Sequence, residues 1–241
     1  MCSFSGSSKL IYCDLTGNTT GNYGRGGGIF LLNDNSTVEI INCTISDNSA
    51  YRGGGIYNGY SYFTGVTKLT NSTITQNIAF DGGGIYHFDT HLEVNNSIIW
   101  DNQSANNANE IYTINGIGST TLNNCCYGND PDDILGLFNE TNCINSDPLL
   151  GPLADNGGQT FTHDLGTGSP CIDAGDNSYA TGIQYDQRGS GFPRISDRGC
   201  IDPDIVDIGA FEYQPIIDLQ NSLVAHYPFN GNANDAGPNG F

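Results

Sequence analysis

Basic side chains are scarce in this chain: 7 Lys+Arg stand against 26 Asp+Glu, a formal net charge of −19 over 241 residues. So acidic a surface repels phosphate backbones, which excludes nucleic acid as a natural partner. It suits solubility outside a cell, or weak contact with divalent cations. Long Ala/Leu/Glu/Lys stretches are missing, which argues against a helical fold. No run approaches the ~20 apolar residues of a membrane span, so the chain is not expected to cross one. Met1-Cys2-Ser3-Phe4 leads straight into strand-like sequence, so no signal peptide is expected within these residues and the natural start is expected upstream. Nucleotide loops, nucleophile elbows and zinc-protease helices are absent. So are the C-x2-C pairs and His partners of a zinc site, and neither a metal nor a cofactor is assigned.

What is present is a repeat. Hydrophobic residues make up 37% and Gly numbers 33, so short apolar runs alternate with turn formers, the pattern of many short strands. Gly26-Gly27-Gly28-Ile29-Phe30, Gly53-Gly54-Gly55-Ile56-Tyr57 and Gly82-Gly83-Gly84-Ile85-Tyr86 are near-copies, and Asn109-Glu110-Ile111-Tyr112 is a decayed fourth. The isoleucines step by 27, 29 and 26 residues. A second phrase ends in Asn18, Asn48, Asn77 and Asn102, with steps of 30, 29 and 25. Two phrases of matched period mark a solenoid. Between them, alternating runs such as Val38/Ile40 and Leu92/Val94 put apolar side chains on one side of a strand.

The fold class is therefore all-β, a right-handed parallel β-helix with about three strands per coil of 25–30 residues, running over 1–146. Stacked coils bury a continuous apolar column that one repeat could not. The asparagines are expected to form a turn ladder, tolerating left-handed backbone and bonding along the stack. The glycine triplets are expected at another tight or bulged corner.

These phrases resemble the repeats of the polymorphic outer-membrane proteins and related bacterial β-helix proteins, with Ile45-x-x-Asn48 and Ile74-x-x-Asn77 carrying Ile where that family usually has Phe. The match covers roughly 10–130. It implies a right-handed β-helix at a bacterial surface, often with an adhesive role.

After about Asn129 the period is lost. Asp147-Pro148-Leu149-Leu150, Gly168-Ser169-Pro170-Cys171-Ile172-Asp173-Ala174-Gly175, Asp186-Gln187-Arg188-Gly189 and Asp207-Ile208-Gly209-Ala210-Phe211-Glu212-Tyr213 follow in order. The series resembles the choice-of-anchor segment that ends many bacterial β-helix surface proteins. It implies an irregular cap over 147–213 that closes the helix, since an open last coil exposes a sheet edge. Residues 214–222 read as a linker. Residues 223–241, with Leu223-Val224-Ala225-His226-Tyr227, resemble the truncated start of a laminin-G-like jelly roll, a resemblance that implies a fragment of a larger secreted or cell-surface protein.

Phe30, Tyr57, Tyr86 and Tyr112 follow the isoleucines, so they share a column ~4.8 Å apart per rung. Such a stripe serves as a platform for sugar rings or a partner protein, or as a self-stacking ladder. Arg25, Arg52 and Asp81 share another column, with an Arg52–Asp81 pair expected between coils. Asp81, His87, Asp89 and His91 are the nearest approach to a catalytic cluster, but match no hydrolase or lyase signature. Asp130, Asp132 and Asp133, and Asp202, Asp204 and Asp207, lack calcium-loop spacing, so Ca²⁺ fits the charge but is not placed. Cys13 and Cys43 occupy equivalent positions, continued by Ser72 and Ser97, and their spacing admits a disulfide. Cys171 and Cys200 form the preferred pair, and Cys125, Cys126 and Cys143 allow one more.

The leading expectation is a non-catalytic module binding a glycan or a surface protein of a host or neighbouring cell. A polysaccharide lyase or glycoside hydrolase of the pectate-lyase-like class is the alternative, and a structural stalk the third.

Overall fold

The computed structural model describes residues 2–4, 7–32, 35–59, 65–114, 118–195 and 204–214. Strands β1 (Cys2–Phe4), β2 (Ser8–Ile11), β3 (Asp14–Thr16) and β4 (Ile29–Leu31) begin a stack. Complete coils follow as β5 (Thr37–Ile41), β6 (Thr44–Ser46), β7 (Ser49–Arg52) and β8 (Ile56–Gly59); then β9 (Val66–Thr70), β10 (Thr73–Thr75), β11 (Ile78–Asp81) and β12 (Ile85–Phe88); then β13 (His91–Asn95), β14 (Ile98–Trp100), β15 (Gln103–Asn107) and β16 (Ile111–Ile114). β17 (Ser119–Asn123), β18 (Cys126–Tyr127), β19 (Ile134–Leu135) and β20 (Asn139–Thr141) finish it.

Each strand pairs in parallel with its copy one coil away. This makes four sheets: β1-β4-β8-β12-β16-β19, β2-β5-β9-β13-β17-β20, β3-β6-β10-β14-β18 and the shorter β7-β11-β15. The molecule is a parallel β-solenoid of about four turns. The complete coils carry a fourth, short strand beyond the three expected. Register is as the repeat requires: Ile29 pairs with Ile56, Ile56 with Ile85, Ile85 with Ile111 and Ile111 with Ile134. Ile29, Ile45, Ile56, Leu69, Ile74, Ile85, Ile99 and Ile111 are fully buried in one core, and each contributes roughly 1.5–3 kcal/mol.

The corners have separate chemistry. Between the second and third sheets, Asn42, Asn71, Asn96 and Asn124 take left-handed backbone, with φ of 50°, 47°, 45° and 50°. At the next corner the left-handed residue is Gly17, Asp47, Gln76 or Asp101, one position before each ladder asparagine. The ladder residues Asn18, Asn48, Asn77 and Asn102 thus do not supply the left-handed turn expected of them. Their side chains are committed to the stack.

The segment 147–213, expected to cap the end of the helix, instead makes side contacts with it through its described residues, 147–195 and 204–213. These lie along the outer face of the third sheet, from the first coil to the last. Phe161 N–H donates to Asp14, Asn42 donates to the Tyr185 carbonyl, Thr44 to Gln187, and Ala210 N–H to Thr73 Oγ1. Asn96 Nδ2 donates to the Asp176 carbonyl. The physical reason is in the third sheet itself: Thr44, Ser46, Thr73, Thr75 and Ile98 point away from the core and are nonetheless buried. Ile98 packs with Cys126, Leu165, Cys171, Ile208 and Phe211 in a second core.

Among the described residues the only helix is a single 3-10 turn, Asn177–Ala180, and no helix is long and apolar enough to cross a membrane. The linker beyond residue 214 and the jelly-roll resemblance over 223–241 lie outside the described residues.

Candidate functional site: two aromatic stripes

Parallel register stacks like on like, and the first sheet shows it. Phe30–Tyr57, Tyr57–Tyr86 and Tyr86–Tyr112 have ring centroids 5.3, 5.1 and 5.4 Å apart. Arg25 lies over Tyr57 at 5.1 Å and Arg52 over Tyr86 at 5.3 Å. Tyr57 and Tyr86 are each only 3% exposed, and burial, the largest influence, pushes the Tyr86 hydroxyl up to about 12. Stacked rings covered by guanidinium groups leave no open face at the centre of this column. Phe30 and Tyr112 at its ends are half-buried. Arg52 Nε sits 3.5 Å from Asp81 Oδ2, and Asp81 Oδ1 also accepts from Asn106 and Asn107.

A second stripe runs along the short fourth sheet. Tyr51 and Phe80 stack with centroids 4.9 Å apart and planes 4° from parallel, and Tyr23 joins Tyr51 at 5.2 Å and 59°. In β11 the alternation is complete: Ile78 and Phe80 face out while Ala79 and Asp81 are buried. Tyr23 is 79% exposed, Ile78 52% and Phe80 41%. Thr20, Asn22 and Ser49 join the rings around a shallow depression of about 400 Å³. A neighbouring depression of about 510 Å³ runs past Gly24 and Arg25 to Phe30, so the two stripes meet at the first coil.

This second stripe is absent from the sequence reading. Its signal is weak: aromatics occupy aligned positions 51 and 80, but Ala105 and Asn106 follow them in β15, and Tyr23 precedes any strand of this sheet.

The sequence cluster Asp81, His87, Asp89 and His91 is dispersed. His87 is buried, with Nδ1 2.8 Å from Thr120 Oγ1 and Nε2 3.1 Å from Thr90 Oγ1. Burial lowers its pKa to about 4, so it is neutral at pH 7. His91 instead meets Ser119 Oγ at 2.9 Å, and Asp81 is held by Arg52. Among the described residues no group of three His, Cys, Asp or Glu is arranged to hold a metal. Asp133 is tied internally, accepting from Asp130 N–H and Asn109 Nδ2. Asp207 likewise accepts from the Asp173 and Tyr213 N–H groups.

The asparagine ladder is continuous. Asn18 Nδ2 donates to Asn48 Oδ1 at 3.0 Å, Asn48 to Asn77 at 2.9 Å and Asn77 to Asn102 at 2.8 Å. Each receiving oxygen also accepts the backbone N–H of the rung before it. Asn102 then donates to Glu110 Oε2. Burial outweighs that bond and raises the Glu110 pKa from its ordinary 4.5 to about 8.

The six described cysteines for which side chains are assigned are all thiols. Cys13 and Cys43 stack in neighbouring rungs, where Thr44 N–H donates to the Cys13 carbonyl, and each thiol donates to the carbonyl two residues before it, that of Ile11 or Ile41. Cys43 N–H donates to Ser72 Oγ and Ser72 N–H to Ser97 Oγ, confirming one column. Cys125 and Cys143 pair in the same way. Cys171 lies against Cys126. Its expected partner, Cys200, lies outside the described residues.

Comparison with family models, with curated proteins and with solved structures finds no match to this chain.

Proposed function

We propose that this chain is a non-catalytic β-solenoid module of a secreted or cell-surface protein, and that it binds a neutral glycan on the Tyr23–Tyr51–Phe80 stripe. The observation that carries the reading is the exposure of the Tyr23 and Phe80 rings, with Tyr51 stacked between them, beside hydroxyl and amide groups. Aromatic faces and edges pack against the C–H surfaces of sugars, while Thr20, Asn22 and Ser49 supply hydrogen bonds for hydroxyls. The net charge of −19 disfavours anionic polysaccharides and so selects uncharged ones. Adhesion, or presentation of the bound glycan, is the biological role that fits. The polymorphic-outer-membrane-like phrases and the choice-of-anchor-like series supply the surface location in this reading.

The alternative is a glycoside hydrolase. One observation favours it: Glu110, with its raised pKa, borders a depression of about 470 Å³ also lined by Trp100, Asp101, Asp130 and Asp133, and a protonated carboxyl is the group a general acid needs. Against it, Glu110 is buried and engaged by Asn102.

The deciding experiment titrates the whole chain with neutral oligosaccharides and assays the same mixtures for new reducing ends. Saturable binding that weakens about tenfold or more in Tyr23→Ala and in Phe80→Ala is expected. Wild-type affinity in the double variant, or turnover of the sugar, overturns the reading.

A further inference from the structure

Cys125 and Cys126 are consecutive, and strand geometry sends their side chains to opposite faces. Cys125 enters the solenoid core beneath Val94, its thiol donating to the Val94 carbonyl at 3.3 Å. Cys126 faces out into the second core, among Ile98, Leu165, Ile208 and Phe211. There it meets Cys171, from the segment packed on the side of the solenoid. Both residues are fully buried; the Cys126 thiol donates to the Ser146 carbonyl at 3.3 Å and lies against that of Cys171.

We propose that Cys126 and Cys171 are joined by a disulfide in the mature protein, fastening the side-packed segment to the solenoid. Both backbones are already fixed. Cys126 N–H donates to the Ser97 carbonyl at 3.0 Å, Ile208 N–H donates to the Cys171 carbonyl at 2.9 Å, and Ser169 Oγ accepts from Cys171 N–H at 3.2 Å. The docked positions of the two cysteines are therefore fixed by contacts that do not depend on the bond, and the folded chain accommodates it. The other two thiol pairs differ. Cys13/Cys43 and Cys125/Cys143 stand in register on adjacent rungs, where strands lie ~4.7–4.9 Å apart. Side chains in parallel there hold their Cβ atoms beyond the ~3.8 Å typical of a disulfide.

The chemistry is thiol–disulfide exchange with a disulfide oxidant such as oxidised glutathione. One cysteine thiolate attacks the oxidant, breaking its S–S bond and releasing one thiol. The second cysteine then attacks the mixed disulfide and releases the other thiol. Two electrons pass to the oxidant, and the two protons lost from the cysteines end on its two thiols. The neighbouring Cys171 thiol and then burial push the Cys126 pKa upward, which disfavours its thiolate in the folded chain, and both cysteines are fully buried, which closes them to an oxidant. Oxidation therefore precedes docking of the segment and belongs to an oxidising compartment.

The test refolds the full chain from denaturant in a glutathione redox buffer, alkylates free thiols and maps peptides without reduction. A Cys125→Ser variant, which copies Ser72 and Ser97 in the same column, removes the ambiguity of adjacent cysteines. Expected in both proteins is a linked pair of peptides containing residues 126 and 171, lost on reduction. Alkylated Cys171, or Cys171 linked to Cys200 or any other residue, overturns the proposal. As a second measurement, the linked protein should retain protease resistance over 147–195 at denaturant concentrations where the reduced protein is cleaved. Equal cleavage of the two also overturns it.

Discussion

Asn102 donates its side-chain amide to Glu110, where every earlier rung of the column passes asparagine to asparagine. The ladder therefore ends on a buried carboxyl eight residues along the chain, not on a fifth amide. A carboxyl is the group that makes this end sensitive to pH.

Glu110 carries a folded-state pKa of about 8 against an ordinary 4.5. Across that interval the folded chain holds a proton that the unfolded chain releases. Its contribution is full below 4.5 and is lost as pH rises through 8, by at most ~1.4 kcal/mol per pH unit. His87 acts in the opposite sense, its pKa lowered from 6.5 to about 4, so stability from it grows between those values. Glu110→Gln keeps an acceptor for Asn102 and leaves His87 alone. Urea denaturation of the two proteins at pH 5 and pH 8 should show the variant gaining relative to wild type at the higher pH. A constant difference between the curves refutes the assignment.

The ladder asparagines themselves are costly to remove. Asn77 donates to the carbonyls of Ile45 and Thr75 and to Asn102, and accepts from the N–H and side-chain amide of Asn48. Asn77→Ala leaves several of these groups buried without partners, at ~1–3 kcal/mol for each one orphaned. A loss of at least ~2 kcal/mol is expected in equilibrium denaturation. By comparison, Asn106→Ala sits on the exposed rim and should cost less than ~1 kcal/mol.

Glycine triplets separate two requirements. The first glycine of each, Gly26, Gly53 or Gly82, has φ near +65°, which side-chain-bearing residues rarely adopt. The second is excluded by space: a Cβ on Gly54 would stand 2.5 Å from the Gly83 carbonyl oxygen and 2.7 Å from that of Ile78. These atoms belong to backbone and cannot swing away. Gly54→Ala should therefore destabilise by ~3 kcal/mol or more. Gly21→Ala meets nothing within 4 Å and should fall within ~0.5 kcal/mol of wild type. Thermal denaturation of the pair checks both halves of the argument.

Features that repeat were legible in the sequence, and features that occur once were not. Ile29, Ile56 and Ile85 follow identical triplets, so their register could be read from spacing, and the Arg52–Asp81 contact with it. The Tyr23–Tyr51–Phe80 stripe has two members in aligned strands and a third outside them, too few to form a period. Glu110 sits in the decayed copy of the glycine phrase, where its role as the end of another column has no local sign. The docking of residues 147–195 and 204–213 along the third sheet depends on contacts such as Asp14 with Phe161 and Thr44 with Gln187. Partners so distant in sequence leave no spacing to read, and the same holds for Cys126 and Cys171.

Arg194 is the linchpin of that docked segment. It is fully buried, and its guanidinium donates to the carbonyls of Asp207, Gly209 and Ala210. Its Nη2 also lies 2.9 Å from Glu212 Oε2. Beside it, Arg188 pairs with Asp186 at 2.6 Å and lies between Phe192 and Phe211. Arg194→Met removes the ion-pair partner of Glu212 and the donors to three buried carbonyls together, which should cost ~3–5 kcal/mol. The loss should be local, since the solenoid rungs hold one another. Hydrogen exchange should speed up over residues 185–195 and 204–213, while amides of β8, β12 and β13 keep their protection. Adding Glu212→Gln should recover part of the loss only above pH 8, because burial raises the Glu212 pKa to about 8 beside Arg194 and the carboxyl without its guanidinium stays protonated at lower pH. Uniform loss of protection along the chain would instead mean that the solenoid depends on this segment for its own stability.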